Sequence, residues 1–448
     1  MFMSSRKSLI LLTFVCICAL LFGGQVVVAQ TDSVPAAELD ADVLVKWMQL
    51  LYDRVEAERI SAPGASRLYG YAGVTAYQSV LPGIPEGISM SGQLTDLGAL
   101  PYPDDAEAEY DWISSANGAL STVIAGLFPE DATDTQNAVN ALRQSQINAR
   151  LRQVDEAIVE RSVAYGDEVG EAILDWVSTD NFAETRDMNA DYVPPSDDSS
   201  YWVYTAEGMK AVEPYWGRIR PFALYYADAC AQKHNMEFST DPNSTFYAQA
   251  LEVKTTGDNL TPLQKDIARF WVDTPGETGT PAGHWVLIEN QLVDVLDLKL
   301  DRASMMYALT GVALADAFIS TWSLKYQVNL VRPVTYIKEY IDPNWEPFIA
   351  TPGFPEYPSG HSVVSGAAAE VLTGMFNTVA FTDSSVRKHG MQPRSFTSFW
   401  AAANEAAISR MYGGIHYREA IENGLRQGQC IGQNVLNYVL LRSIPQGE

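Results

Sequence analysis

The stretch "FPEYPSGHSVVSGAAAEVL", Phe354 to Leu372, joins a proline-rich turn to an apolar helix through Ser359, Gly360 and His361. Pro358 pre-orders the turn, Ser359 is suited to cap the helix, and Gly360 leaves its backbone N–H open to close approach. With the helix beginning near His361, the partial positive charge of its N-terminus adds to those donors. The stretch therefore reads as one wall of an anion site. That is unexpected in a 448-residue chain with 55 acidic residues against 30 Lys and Arg and a net charge of -25.

Two neighbouring segments supply matching chemistry. In "LADAFISTWSLKYQVNLVRPV", the spacing of Trp322, Lys325, Asn329 and Arg332 puts two cations and an indole on one helical face, with Pro333 helping to end the helix. In "ISRMYGGIHYREAIENG", Arg410 closes one helix, Gly413-Gly414 bends the chain and His416 stands before the next helix, so both side chains can turn toward one point. Each segment alone has an ordinary explanation: a solvated basic edge, a capped helix with a buried His, or a Gly-Gly helix stop with His416 on the surface. Together they provide Lys325, Arg332 and Arg410 to neutralise a tetrahedral oxyanion, and the Ser359 hydroxyl and Gly360 N–H to fix its oxygens.

Written as Lys-x6-Arg-Pro, Pro-Ser-Gly-His and Ser-Arg-x5-His, the three motifs span residues 325 to 416. The combination resembles the superfamily that unites vanadium-dependent haloperoxidases with type-2 phosphatidic-acid phosphatases and bacterial non-specific acid phosphatases. The upstream "ARFWVDTPGETGTPAGHW" is also similar to bacterial haloperoxidases, and it places His284 near the expected pocket entrance. The resemblance implies an all-α fold of helical bundles and two possible chemistries. In a phosphatase, His416 attacks phosphorus and His361 protonates the leaving group. In a haloperoxidase, vanadate is the cofactor and His416 its protein ligand, with hydrogen peroxide and halide as partners. Lys325 then polarises bound peroxide and His361 manages its protons.

Trp322 and Phe354 sit where the resemblance implies bulky aromatics lining the halide pocket, which favours the haloperoxidase reading. Phe354 in place of a second pocket His leaves one fewer proton-handling group, so iodide is the expected halide and bromide the second. A third reading is an exported protein that binds an oxyanion without turnover. One departure stands out. The family often carries Asp four residues after the last His, and this chain has Ala420 there. A ligating imidazole needs its other N–H held. Glu422 or a backbone carbonyl is the expected substitute.

The rest of the chain reads as helical nearly throughout, with apolar residues at three- and four-residue spacing over 38–59, 108–128, 133–178, 243–255, 261–272, 284–328, 361–378, 395–412 and 417–440. A turn-rich, aromatic segment over 184–222 separates an N-terminal helical part, 30–183, from a C-terminal part, 184–448, and is expected to be an ordered cover. Arg6 and Lys7 precede the apolar run from Leu9 to Phe22, so residues 1–29 read as a secretory signal, with a retained anchor as the alternative. No later segment reads as apolar enough to span a membrane. The acidic surface disfavours nucleic acid. Beyond the signal, Cys230 and Cys430 could pair or stay as thiols, and His234 and His389 read as surface residues.

Overall fold

The computed structural model describes residues 33–103, 108–189 and 191–442. The segment read as a signal sequence, and the side chain of His389, lie outside them. Among the described residues the helices are α1 (Asp42–Ala57), α2 (Ala62–Val80), α3 (Trp112–Leu127), α4 (Thr133–Arg150), α5 (Glu156–Val177), α6 (Phe182–Asn189) and α7 (Thr245–Asp258). They continue as α8 (Pro262–Phe270), α9 (Thr280–Val295), α10 (Leu300–Val328), α11 (Pro333–Tyr340), α12 (Gly360–Phe376), α13 (Phe399–Tyr412) and α14 (Arg418–Tyr438). One short antiparallel hairpin, β1 (Phe381–Asp383) with β2 (Arg394–Phe396), interrupts them, Phe381 standing opposite Phe396. The all-α reading holds.

Local chemistry starts many of these helices. Ser61, Asp111, Ser244, Ser359 and Ser398 each accept a backbone N–H at the first turn of α2, α3, α7, α12 and α13, and Thr261 with Gln264 forms a capping box on α8. The periodic run 133–178 is two helices, because Asp155 caps a new start after the turn that follows Arg150. The run 284–328 divides at Leu296–Lys299 into α9 and α10.

Helix α10 is the axis of the molecule. It is long and apolar enough to cross a membrane by length and composition, contrary to the sequence reading, but its apolar span is buried inside the protein. It packs closely against α2, a helix that hydrophobic periodicity missed because it is buried all round and shows no polar face. Glycine makes the approach possible: a Cβ on Gly73 would stand 2.2 Å from the Tyr307 carbonyl oxygen. The same device joins α12 to α14, where a Cβ on Gly428 would stand 2.2 Å from the Val363 carbonyl oxygen. Backbone contact between these two helices sets the N-terminus of α12 beside that of α14, and the Ser359 N–H donates to the Ala420 carbonyl at 3.1 Å. One continuous apolar core includes residues from Ala36 to Leu441.

The segment 184–222 starts within α6 and then runs irregularly over the C-terminal end of α10 and the turn that precedes α12. It is pinned by Val212 N–H to the Gly353 carbonyl (2.9 Å), by Trp202 N–H to the Asn329 carbonyl (2.8 Å) and by the Arg186–Glu213 ion pair. Beyond it, Cys230 is bonded to Cys430 of α14, with Cα atoms 5.7 Å apart. His234 is partly buried against the Tyr357 ring and Glu419 rather than free on the surface.

Candidate active site

The last two turns of α10 carry Trp322 and Lys325, both buried. The helix stops at Asn329, whose left-handed backbone (φ 52°) turns the chain, so Arg332 is not on the helical face expected from its spacing. It is the N-cap residue of α11, with Pro333 opening that helix. The two cations still reach one place. The Lys325 ammonium donates to the carbonyls of Pro355 (3.0 Å), Glu356 (2.9 Å) and Pro358 (2.5 Å), all in the turn before α12. Arg332 donates to the Phe354 carbonyl (2.8 Å) and, through Nη1, to the Ile415 carbonyl (2.9 Å). The Phe354 ring lies beneath both, 5.0 Å from Lys325 Nζ and 4.8 Å from Arg332 Cζ, and 4.9 Å from the Trp322 ring.

His416 sits in the turn between α13 and α14, where Gly414 takes a positive φ of 78°. Its Nδ1 lies 2.8 Å from Glu356 Oε1, and its Nε2 lies 3.3 Å from Arg332 Nη1. A carboxylate accepts and a guanidinium donates, so the proton is on Nδ1 and the Nε2 lone pair faces the cations. Glu356 is therefore the orienting group that the missing Asp left open. Glu422 is exposed instead and pairs with Arg418 and Arg426. Glu356 Oε1 also accepts from the Tyr417 N–H at 2.8 Å.

Arg410, at the end of α13, is fully buried and donates to the carbonyl of Trp271, which follows α8, and to Ser409 Oγ. Two residues on, the Asp273 carboxylate lies 3.8 Å from His361 Nε2. His361 keeps 16% of its side-chain exposure and opens onto the cavity. His284 is not at the entrance. It is buried behind Asp273, away from the cavity lining.

Electrostatics follow from burial. Burial lowers Lys325 well below the ordinary lysine range, with Arg332 adding to it, and brings Arg332 and Arg410 each down to about 10. Burial raises the Glu356 carboxyl to about 7 against the pull of Arg332 and Lys325. Burial, then Arg410 for His361 and Arg332 for His416, lowers both rings well below the ordinary histidine range.

Gly360, His361, Arg410 and His416 line one end of a cavity of about 430 Å³ whose other walls include Val212, Phe318, Trp322, Ile349 and Phe354. Of the nine predicted residues, Trp322, Phe354, Gly360, His361, Arg410 and His416 line this cavity, and Lys325, Arg332 and Ser359 lie behind the lining, bonded to the segments that form it. Sequence reasoning missed Glu356 and Asp273, although both lie inside quoted segments, two residues before Pro358 and two after Trp271.

Fold and site together define a helical-bundle protein built around a cage for a small oxyanion. A family model described as the VCPO second helical-bundle domain matches residues 305–442. The crystal structure of a bacterial vanadium-dependent iodoperoxidase superposes with a TM-score of 0.84 and 34% identity, covering 93% of this chain and all of that one. The apo form of a bacterial vanadium-dependent chloroperoxidase superposes with a TM-score of 0.66 at 15% identity, over 90% of this chain and 98% of that one, which speaks for the fold. The vanadium chloroperoxidase of Curvularia inaequalis is 24% identical over 219 residues, 35% of this chain, and the match spans 36% of that curated relative. The chain belongs to the vanadium-dependent haloperoxidase family.

Membership implies vanadate as the cofactor, and the residues present fit it. Arg332 Nη2 and His361 Nε2 are buried donors or acceptors with no hydrogen-bond partner among the described residues. Such groups are costly to leave unpaired, and an oxyanion bordered by His416 Nε2 would satisfy them. A Cβ on Gly360 would meet Trp322 at 3.5 Å and Thr321 at 3.9 Å, both ordinary contacts, so protein packing does not require glycine there.

Proposed function

We propose that this protein oxidises halide with hydrogen peroxide to hypohalous acid, with iodide as the first substrate and bromide the second. The observation that carries the reading is the placing of the His416 ring: Nδ1 held by Glu356 turns Nε2 toward the buried cations, 3.3 Å from Arg332 Nη1, beside a cavity walled by aromatic and aliphatic side chains. Vanadate, when bound, supplies a Lewis-acidic centre on which hydrogen peroxide becomes electrophilic.

The protein's own groups do the rest. Nε2 of His416 would hold the cofactor, Arg332 and Arg410 would balance its charge, and Ser359 and Gly360 would fix its oxygens. Lys325 adds a positive field through the turn that it organises. Halide loses two electrons, the O–O bond breaks, one oxygen leaves as hypohalous acid and the other as water. That balance consumes one proton per turnover, and His361, neutral, open to the cavity and beside Asp273, is the group to carry it. Trp322 and Phe354 form a poorly hydrated wall that suits iodide, the most easily desolvated of the halides, better than a phosphate ester. The 34% identity to an iodoperoxidase supports the same order. The Cys230–Cys430 bond supports an exported protein.

The test is to strip the protein with chelator at acidic pH in phosphate, restore orthovanadate, and assay iodide oxidation beside hydrolysis of a phosphate ester. Vanadate-dependent iodide turnover without ester hydrolysis is expected. Ester hydrolysis in the stripped protein, abolished by vanadate, would establish the phosphatase reading instead. Binding of vanadate with neither activity would leave an oxyanion carrier.

A further inference from the structure

Behind His361 lies a row of buried charged groups that the proposed reaction does not yet use. His284, on α9, is 2% exposed, and both of its ring nitrogens face carboxylates. Nδ1 lies 3.1 and 3.0 Å from the two oxygens of Asp273, and Nε2 lies 2.8 Å from Asp383 Oδ2, with Ser385 Oγ at 3.0 Å. Carboxylate oxygens only accept, so two of them on opposite nitrogens require two N–H donors, which only the imidazolium provides. Burial opposes that charge, but Asp273 and then Asp383 outweigh it and hold the ring up to about 10. Trp271 stacks on the ring at 4.4 Å with planes 21° apart and fixes its orientation.

Asp273 is held in turn. It is buried, its backbone takes a left-handed φ of 47°, and its Oδ2 points between His284 Nδ1 (3.0 Å) and His361 Nε2 (3.8 Å). A side chain with such a backbone keeps its place only when its surroundings over-determine it. The other groups facing this row are Arg410 from α13, Lys325 from α10 and the buried Tyr52 phenol from α1. Without His284, Asp273 is free to turn toward Arg410.

We propose that His284 is a positioning residue: an imidazolium clamped between Asp273 and Asp383 that fixes the Asp273 carboxylate beside the His361 ring, 3.8 Å from Nε2, extending the site into a row Asp383–His284–Asp273–His361. The proposal rests on reading His361 as the proton-carrying group, but its physical core is tested without turnover.

The chain holds five histidines, so ring-nitrogen labelling resolves them by nuclear magnetic resonance. His284 is expected to keep both ring protons at pH 8.5. In Asp383→Asn it should lose one at least about one pH unit lower than in the native protein. In His284→Gln the His361 ring signals should move. In the vanadate-loaded enzyme the same change should lower kcat at least about tenfold, with the iodide KM kept within about twofold. A neutral His284 ring at pH 8.5, or His284→Gln with unmoved His361 signals and native kcat, overturns the proposal. Should His284→Gln fail to fold, Asp383→Asn carries the test. Should native protein show no halide oxidation, the haloperoxidase reading fails while the ring-nitrogen signals still decide on the clamp.

Discussion

Glu356 Oε1 and His416 Nδ1, sixty positions apart in the chain, lie 2.8 Å from each other in the buried floor of the site. This contact does the work of the acidic residue that Ala420 does not supply. Glu356→Ala leaves the His416 Nδ1–H and the Tyr417 N–H without an acceptor, and the ring loses both tautomer and direction. Vanadate affinity is expected to fall by about 10- to 100-fold. Glu356→Gln keeps an acceptor oxygen for both donors and should fall by less. Calorimetric titration of the stripped protein with orthovanadate gives the order, and equal losses in the two variants would mean that charge, not orientation, is what Glu356 contributes.

Arg332 Nη2 is buried and unpartnered among the described residues, so an oxyanion should stabilise the folded state directly. At orthovanadate a hundredfold above Kd the gain is about 2.7 kcal/mol. Thermal unfolding of the stripped protein should shift upward with vanadate, and Arg332→Ala should remove most of that shift. An unchanged shift in Arg332→Ala would place the anion away from this guanidinium.

The raised pKa of His284 makes its contribution to stability depend on pH with a definite sign. A group that titrates higher when folded binds its proton preferentially in the folded state. The stabilisation is complete below the ordinary histidine value of about 6.5 and is lost as pH rises toward the folded value of about 10. Chemical denaturation of native protein and His284→Gln should therefore show a gap that is constant near pH 6 and narrows between pH 7 and pH 10. A gap that widens with pH would contradict the imidazolium.

Much of the site was legible because its chemistry is local in sequence. The Ser359 cap, the cationic Lys325 and Arg332, and the bend at Gly413-Gly414 each follow from a few adjacent residues. Glu356 and Asp273 were not, because a carboxylate in a turn becomes a ring-orienting group only when another segment is folded against it. The left-handed stop at Asn329 escaped for a related reason: the three- and four-residue spacing continues across it to Arg332. Helix α2 was missed because periodicity needs a polar face, and the middle of this protein has none to show.

The Phe354 ring lies about equally close to Lys325 and Arg332, at 5.0 and 4.8 Å. Phe354→His puts a titratable ring in that place and adds a second proton-handling group to the cavity wall. The ratio of bromide to iodide turnover is expected to rise severalfold at matched peroxide. A ratio that stays level would show that halide choice is set elsewhere.

The site depends on how closely α14 approaches α12, and three glycines on α14 control that distance. Gly424, Gly428 and Gly432 recur every fourth residue on one face, and Cβ atoms there would meet Ser362 Cβ at 2.7 Å, the Val363 carbonyl oxygen at 2.2 Å and Glu370 Cβ at 2.6 Å. The contact at Gly428 is with backbone, which cannot move aside without shifting a helix. Gly428→Ala should therefore push the two helices apart, costing about 1–3 kcal/mol. It should also draw His416, which precedes α14, away from Ser359 and His361 at the start of α12. Gly98→Ala is the matched control, since nothing stands within 4 Å of a Cβ at that position. Unfolding temperature and vanadate affinity should drop together in Gly428→Ala and stay level in Gly98→Ala. Native vanadate affinity in a destabilised Gly428→Ala would show that the helix spacing supports the fold without placing the cage.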